Sequence, residues 1–523
     1  MRWVFPKGFM WGVSLAGFQF EMGDSAGEAL DPNTDWFAWV HDRSNIERGI
    51  VSGDLPENGI DYWHRFREDH DIAKSLAMNA YRLNVEWSRV FPKPTFSVEV
   101  GVTRDDRLIR EVEIDEDDLA RLDELANKST VEHYREVVTD LREKGFYVIM
   151  NLVHFTLPLW IHDPLTARAT KLKKGPTGYA DPRFPVEFAK FAAYAAWKFG
   201  DLVDMWSTFN EPSVVAEAGF LFKNGKFPPG LFSLDGYKRA LINIAQAHVA
   251  AYSLIRKFDR KRAYPSSPAE AFVGIIHNMI PFHPLRTNNR RDALAASFSD
   301  HLHNRWVLNA IIRGWVDSDI DMKQEPSEVF ESYKNKADWI GVNYYTRQVV
   351  RGRLSPVGLL AGLPAYPEMV KGYGNECEPR SKSLAGRPTS DFGWEVYPEG
   401  LPEVLDIAFE YGRPVLITEN GIADREDRLR PHYVALHLKV LEAYIEQRKP
   451  DLRGYLHWAL TDNYEWADGF RMRFGLYAVD LETKRRLKRP SADLMATIIR
   501  EGTVPDEYVR KALSAVEGVK VAL

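Results

Sequence analysis

Short runs of apolar or β-branched residues alternate along this chain with segments in which apolar residues recur every three or four positions. The short runs predict buried strands, and the recurring spacing predicts amphipathic helices. Eight strands are predicted, at 9–15, 80–87, 146–154, 205–211, 271–278, 338–346, 415–419 and 454–463. Because strands that alternate with helices pair in parallel, this order predicts an α/β fold, a single (β/α)8 TIM barrel with loop insertions.

The helices and the domain organisation follow from the same pattern. Helical spacing extends over 62–78, 134–141, 188–199, 244–258, 401–411, 433–445 and 491–500. The acidic, irregular segment at about 93–130 is predicted to be an insertion with one short surface helix, and a Gly- and Pro-rich loop is expected at about 355–389. Since no linker divides the chain, residues 1–523 are predicted to form one domain.

Composition and charge narrow the class of protein. A hydrophobic content of 45%, a charged content of 27% and a net charge of −6 are those of an ordinary globular protein, and they give no reason to expect a nucleic-acid or membrane partner. The single Cys377 excludes an internal disulfide and fits a reducing compartment. Neither a signal peptide nor a membrane-length apolar run is found, so a cytoplasmic location is predicted.

Two of the predicted strands end at a glutamate. The segment P-V-L-I-T-E-N-G at 414–421 ends its strand at Glu419, and M-W-S-T-F-N-E-P at 205–212 ends its strand at Glu211. A carboxylate that follows a buried strand is costly unless it is hydrogen-bonded or serves chemistry, so each could be a structural acid or part of a site. The carboxyl ends of barrel strands meet at one face, where further polar residues are predicted: His154, Asn210, Asn343, Tyr345 and Trp458.

Two carboxyl groups that face each other across a pocket can break a glycosidic bond. One of them protonates the leaving oxygen, while the other attacks the anomeric carbon or activates water. The residues alone leave retaining and inverting mechanisms both open. The 15 Trp and 22 Tyr could stack on sugar rings, although they could equally fill a large core.

Six ordered motifs resemble those of the family 1 glycoside hydrolases, and together they extend over nearly the whole chain. The motifs are F-M-W-G-V-S-L-A-G-F-Q-F-E at 9–21, R-L-N-V-E-W-S-R at 82–89, T-F-N-E-P at 208–212, D-W-I-G-V-N-Y-Y-T at 338–346, I-T-E-N-G at 417–421, and W-A-L-T-D-N-Y-E-W-A-D-G-F-R-M-R-F-G-L-Y at 458–477. The resemblance implies a retaining exo-β-glycosidase that hydrolyses terminal non-reducing β-D-glucosides, galactosides or mannosides through a covalent glycosyl-enzyme.

The resemblance also implies roles for individual residues. Glu419 would be the nucleophile and Glu211 the acid/base, with their carboxyl groups about 5–5.5 Å apart. Arg82, Asn343 and Tyr345 would support them. The residues that would bind the sugar are Gln19, His154 and Trp466 at the 3- and 4-hydroxyls, Glu465 at O4 and O6, Asn210 at the 2-hydroxyl, and Trp458 as the stacking floor. Neither a metal nor a cofactor is required.

One position departs from the pattern of many family members. Phe155 follows His154 where many members have tryptophan, and it removes an indole N–H from the pocket rim. This phenylalanine and the acidic insertion resemble an archaeal branch that includes β-glucosidases, β-galactosidases and β-mannosidases. A β-mannosidase-selective enzyme therefore stays an alternative, and the branch implies a homotetramer and heat stability.

Three other interpretations are weighed. A transglycosylase would use the same covalent intermediate, and a non-catalytic sugar-binding protein could share the barrel, although the presence of both glutamates argues against it. His301 and His303 could bind a metal, but no third ligand has suitable spacing, so a helix surface is predicted for them.

Overall fold

Eight parallel strands form a closed barrel at the centre of the molecule. The computed structural model describes residues 4–263, 271–353, 366–516 and 519. Each strand pairs with its neighbours in the sequence, and the barrel closes where Gly12 lies beside both Ala80 and Leu456. The strands are β1 Met10–Ser14, β2 Ala80–Asn84, β3 Tyr147–Val153, β4 Met205–Asn210, β5 Val273–Asn278, β6 Trp339–Asn343, β7 Val415–Asn420 and β8 Leu452–His457. The predicted fold class is confirmed.

Helices surround the barrel and connect successive strands. The α-helices are Gly17–Phe20, Asp35–His41, Arg43–Glu47, Tyr62–Ser75, Trp87–Val90, Glu116–Leu125, Lys128–Glu143, Pro164–Ala169, Phe184–Phe199, Pro212–Phe220, Leu234–Phe258, Arg290–Asp300, Trp306–Leu308, Gly400–Phe409, Arg430–Arg448, Pro490–Glu501 and Asp506–Ala515. Two π-helical turns occupy His301–Arg305 and Asn309–Arg313. Single 3₁₀ turns occupy Pro56–Asn58, Gly178–Ala180, Pro326–Glu328, Glu331–Tyr333 and Trp466–Asp468.

Local sequence explains where the longer helices begin and end. The Asn127 side chain accepts a hydrogen bond from Thr130 N and caps Lys128–Glu143. Gly145, with φ 79°, allows the chain to leave that helix in a left-handed conformation. Helix Phe184–Phe199 buries the apolar side that its spacing predicts. These helices cover the outside of the barrel and hold its strands in place.

The barrel interior is apolar at one level and polar at another. One side chain from each strand contributes to an apolar cluster: Met10, Ala80, Ile149, Met205, Ile276, Trp339, Leu416 and Leu456. Most of the predicted site residues lie beyond this cluster, toward the carboxyl ends of the strands. The apolar layer therefore closes the barrel beneath the polar end.

The insertion differs from its prediction. It contains an antiparallel hairpin, Gly101–Asp105 with Leu108–Glu113, in addition to the predicted helix, Glu116–Leu125. Leu119 and Leu122 are fully buried, so the helix packs against the body of the protein on one side. The many charges of the hairpin conceal its buried positions, which are Leu108, Ile109 and Val112.

Three predicted strands and one predicted loop differ from the structure in detail. The strands predicted at 80–87, 338–346 and 454–463 end early, at Asn84, Asn343 and His457. The first leads directly into helix Trp87–Val90, and the other two continue as loops from which Tyr345 and Trp458 reach the cavity. The loop predicted at 355–389 lies partly outside the described residues, and Tyr366–Met369 within it is an edge strand. It pairs with Gln348–Arg353, which in turn pairs with Phe282–Pro284. The remaining small sheet pairs Tyr477–Val479 with Arg486–Lys488.

The prediction that His301 and His303 lie on a helix surface is wrong, because both side chains are buried. Residues 301–312 are buried on nearly all sides, so this segment has no solvent-facing side on which either histidine could lie. Among the described residues, none of the helices combines the length and the apolar character needed to cross a membrane.

Candidate active site

A cavity of about 480 Å³ opens at the carboxyl ends of the barrel strands. Nine of the twelve predicted site residues line it: His154, Phe155, Asn210, Glu211, Tyr345, Glu419, Trp458, Glu465 and Trp466. The other three, Gln19, Arg82 and Asn343, are buried against these residues and hydrogen-bond to them. The structure therefore brings all twelve predicted residues together.

Glu419 lies at the end of β7 between a cation and a phenol. Arg82 Nη1 donates a hydrogen bond to Glu419 Oε1 at 2.5 Å, and the Tyr345 hydroxyl donates to Oε2 at 2.6 Å. Burial raises the pKa of Glu419, while Arg82 and the two hydrogen bonds oppose that rise. Both oxygens of this carboxylate are thus held in a fixed orientation by donors that favour its ionised form.

Arg82 also organises the neighbouring side chains. Its Nη2 donates to Asn210 Oδ1 at 2.8 Å and lies 3.2 Å from His154 Nδ1. Burial and the nearby guanidinium hold the pKa of His154 well below its usual range, so this imidazole is neutral. One buried cation thereby positions an amide and a neutral imidazole beside the cavity.

Glu211 lies at the end of β4, in a different environment. Its backbone has φ 50°, a left-handed conformation, and Pro212 then begins the next helix. Its Oε1 accepts hydrogen bonds from Asn343 Nδ2 at 2.8 Å and Asn278 Nδ2 at 3.2 Å. Burial, followed by the charge of Glu419, raises the pKa of Glu211 to about 7. With neutral amides as its donors, this carboxyl retains a proton more readily than an ion-paired one.

The far wall of the cavity is polar and aromatic. Gln19 Nε2 donates to Asn463 Oδ1, the Tyr464 carbonyl and Glu465 Oε2 at 3.0, 3.0 and 3.2 Å. Gln19 Oε1 is buried and has no hydrogen-bond partner among the described residues. Burial and the charges of Asp468, Glu419 and Glu211 raise the pKa of Glu465 well above its usual value. Polar atoms of this kind can bind the hydroxyl groups of a sugar.

Aromatic rings form the rest of this wall. The ring of Trp466 stacks on Phe18 at 5.8 Å between centroids and meets Phe155 at 4.9 Å. Trp458, which follows β8, lies 5.8 Å from the ring of His154. Phe155 itself is 5% exposed and contributes an apolar surface at this place. A ligand here would meet flat faces with polar groups at their edges.

The sequence analysis assigns to the site none of three cavity residues beside Glu211, namely Asn278, Glu217 and His303, the last of which it predicts on a helix surface. Asn278 ends β5 and could have been found by the same signal as Asn210 and Asn343. Glu217 lies on helix Pro212–Phe220, and no local pattern indicates that it faces the cavity. His303 lies in the π-helical turn and lines the cavity. His301, two residues earlier, instead lies 2.6 Å from Asp317 Oδ2 and does not line the cavity.

Comparisons with known proteins agree with this arrangement. The sequence profile described as Glycosyl hydrolase family 1 matches residues 1–116 and 123–503. A β-galactosidase of Pyrococcus woesei is 48% identical over 507 residues, which cover 95% of this chain and 96% of that protein. A β-galactosidase of Saccharolobus solfataricus is 44% identical and covers 99% of each chain.

Solved structures give the same result. The crystal structure of the β-glycosidase from the hyperthermophile Thermosphaera aggregans matches with a TM-score of 0.87 and 42% identity, covering 97% of this chain and 99% of that one. The β-glucosidase from Pyrococcus furiosus matches with a TM-score of 0.85 and 41% identity, covering 98% and 99%. The barrel is closed and parallel, two glutamates lie at the ends of its strands, and the matches cover nearly the whole chain. The chain therefore belongs to glycosyl hydrolase family 1 and is a β-glycosidase.

Proposed function

We propose that the chain is a retaining exo-β-glycosidase in which Glu419 is the nucleophile and Glu211 is the acid/base. The observation that carries this assignment is the difference between the two carboxyl groups. Glu419 is paired with Arg82 and receives a phenolic hydrogen bond, whereas Glu211 has two neutral amide donors and a pKa raised to about 7. A nucleophile must be ionised and a general acid must begin protonated.

The reaction then proceeds in two steps. Glu419 attacks the anomeric carbon while Glu211 gives its proton to the leaving oxygen, which forms a glycosyl ester and releases the aglycone alcohol. Esterification removes the charge of Glu419, one of the causes of the raised pKa of Glu211. Glu211 then accepts a proton from water as the water attacks the anomeric carbon and releases Glu419. Two inversions leave the anomeric configuration unchanged.

The sugar is held by the far wall of the cavity. We assign Gln19, His154 and Trp466 to the 3- and 4-hydroxyls and Glu465 to O4 and O6, as the family resemblance implies. Asn210 is assigned to the 2-hydroxyl, since Arg82 and Asn343 hydrogen-bond to its oxygen and leave its Nδ2 directed toward His154 and the cavity. Trp458 is assigned as the stacking floor beneath the ring.

Replacement of Glu419 tests the nucleophile. We expect Glu419→Ala to lose essentially all turnover of β-glycosides, because no glycosyl ester can form. The matched control is Glu426→Ala, the same change at an exposed position seven residues further along the chain. Proton NMR of the first sugar released by the wild type should show the β-anomer. Appreciable turnover by pure Glu419→Ala protein would refute the assignment.

The preferred sugar is the least constrained part of the proposal. The β-galactosidase names of two relatives favour galactosides, the β-glucosidase name of a third favours glucosides, and Phe155 favours the alternative of mannoside selectivity. We expect kcat/KM on nitrophenyl β-galactoside and β-glucoside to exceed that on the β-mannoside. Phe155→Trp, which restores an indole N–H, should widen that ratio. Dominant mannoside turnover by the wild type, reduced in Phe155→Trp, would establish the alternative.

Two further properties of the enzyme, transfer to acceptors other than water and assembly into an oligomer, can be tested. Transfer to a sugar or alcohol acceptor uses the same glycosyl ester as hydrolysis, so product analysis in the presence of added alcohol distinguishes the two outcomes. One solved relative is described as a β-glucosidase mutant derived from a hyperthermophilic tetrameric structure, and this description of its parent supports a homotetramer for this chain. A cytoplasmic location stays a prediction.

A further inference from the structure

A chain of hydrogen bonds extends from Glu211 away from Glu419. Asn278 Nδ2 donates to Glu211 Oε1 at 3.2 Å, and Asn278 Oδ1 lies 3.0 Å from His303 Nε2. His303 Nδ1 in turn lies 3.0 Å from Glu217 Oε2. Four side chains from separate parts of the chain therefore form one path that ends at the acid/base carboxyl.

The backbone around His303 is anchored. His303 is 4% exposed and lies in the π-helical turn His301–Arg305. The next residue, Asn304, accepts a hydrogen bond from Ile280 N at 3.0 Å and donates to the Ile280 carbonyl at 2.8 Å. His277 Nε2 lies 2.7 Å from the His303 carbonyl. The turn is thus tied to β5 and to the loop that follows it, the part of the barrel that carries Asn278.

The partners of His303 determine where its protons lie. Nδ1 faces a carboxylate and Nε2 faces an amide oxygen, so both ring nitrogens act as donors and the imidazole is cationic. Burial acts against that charge, but Glu217, together with the charges of Glu211 and Asp300, more than offsets burial, so that the pKa of His303 is raised. Because cationic His303 donates to Asn278 Oδ1, the amide of Asn278 is oriented with its Nδ2 toward Glu211.

We propose that His303 is a positioning residue for Glu211: held by Glu217, it fixes the Asn278 amide so that Nδ2 donates to the acid/base carboxyl. This inference rests on the proposed role of Glu211. The site residues assigned above do not include Asn278, His303 or Glu217, which line the same cavity beside the acid/base.

The support has a consequence for the pH profile. A donor aimed at Glu211 favours its carboxylate, so losing that donor raises the pKa of Glu211. The acid must be protonated to act, so activity falls as the pH rises through this pKa, and the alkaline limb moves to higher pH when the donor is lost. The charged or titratable groups that face His303 are Glu217, Glu211, Asp300 and His277.

The experiment measures kcat/KM against pH on an unactivated alkyl β-glycoside. We expect His303→Leu to move the alkaline limb upward by about one pH unit, the effect of losing one hydrogen bond to a charged group. His301→Leu is the matched control: the same change in the same turn, at a buried histidine that is paired with Asp317 away from the cavity. It should leave the limb where it is in the wild type.

Two further variants separate positioning from a merely structural effect. His303→Gln retains a donor for Asn278 Oδ1 and should return the limb most of the way to its wild-type position. In an Asn278→Ala background, His303→Leu should produce little additional shift, because His303 acts through that amide. If His303→Leu fails to fold, Glu217→Gln provides the same comparison from the other end of the path, with an upward shift expected.

The outcomes are distinguishable. An unmoved limb in a folded His303→Leu protein, or the same shift with and without Asn278, would overturn the positioning role. Retention of alkyl glycoside turnover by Glu211→Ala would instead contradict the proposed function on which the inference rests.

Discussion

Glu211 and Glu419 carry the same carboxyl group in different surroundings. A guanidinium and a phenol hold Glu419, and neutral amides hold Glu211, although both side chains are buried. Burial alone raises the pKa of both groups, so the partners decide which of them ionises first. Arg82, which pairs with Glu419, makes the surroundings of the two glutamates different.

Removal of the acid should affect substrates according to their leaving groups. We expect Glu211→Ala to lower kcat/KM on an alkyl β-glycoside by roughly 10²–10⁴-fold, the usual contribution of general acid catalysis. The glycosylation step of a dinitrophenyl β-glycoside should change far less, because dinitrophenolate leaves without a proton. Pre-steady-state release of dinitrophenol measures that step. Equal losses on both substrates would contradict the role of Glu211 as the acid.

At the scale of elements, the ends of the strands carry the site and the helices hold them in place. Strands β2, β6 and β8 end several residues before their apolar and β-branched runs end. The residues after those ends form loops, and Tyr345 and Trp458 reach the cavity from them. A run of strand-forming residues therefore predicts that a strand exists more reliably than it predicts where the strand ends.

A buried ion pair joins the small C-terminal hairpin to an early helix. Arg486 donates two hydrogen bonds to Asp69, at 2.8 and 3.0 Å, and both side chains are almost fully buried. Asp69 belongs to helix Tyr62–Ser75 and Arg486 to strand Arg486–Lys488. The pair fixes elements that are more than four hundred positions apart in the chain.

Loss of this pair should destabilise the protein. We expect Asp69→Asn to lower the free energy of unfolding by about 3–5 kcal/mol, because it leaves the Arg486 charge buried without a counter-ion. Glu47→Gln, which breaks the exposed Arg43–Glu47 pair, should cost about 0–1 kcal/mol. Thermal unfolding of both variants measures the difference. Equal midpoints would show that the buried pair contributes no more than a surface pair.

At the scale of the whole molecule, barrel closure brings distant residues into contact. Arg82 and Glu419 are 337 positions apart, and Gln19 and Glu465 are 446 positions apart, yet each pair is hydrogen-bonded. Closure through the pairing of β1 with β8 places the first and last motifs side by side. The site therefore depends on the complete barrel, and no fragment of the chain contains it.

The proposed homotetramer is a property of the whole chain. With a chain mass of 60.0 kDa, sedimentation should give about 240 kDa at micromolar concentration. Activity measured across a dilution series should stay constant per subunit, because every described site residue comes from one chain. A mass of one chain at that concentration would contradict the tetramer.

The sequence by itself determined the class of fold, the number of barrel strands and the two glutamates at their ends. These features are local: alternation, run length and the polar residue that ends a run are visible in short segments. The sequence did not predict the hairpin of the insertion, because its many charges conceal the strands. Leu108 and Val112 can be recognised as buried positions only when the part of the protein that covers them is known.

Only the tertiary structure decided which polar groups meet. Arg82 lies against Glu419 because β2 and β7 belong to one closed barrel, and the sequence carries no measure of that distance. His303 lies beside Asn278 because its segment is buried on nearly all sides and is tied to Ile280 through Asn304, whereas the sequence predicts a surface position for it. Hydrogen bonds, burial and the pKa values that they produce arise between residues far apart in the chain, so they exist only once the barrel has closed.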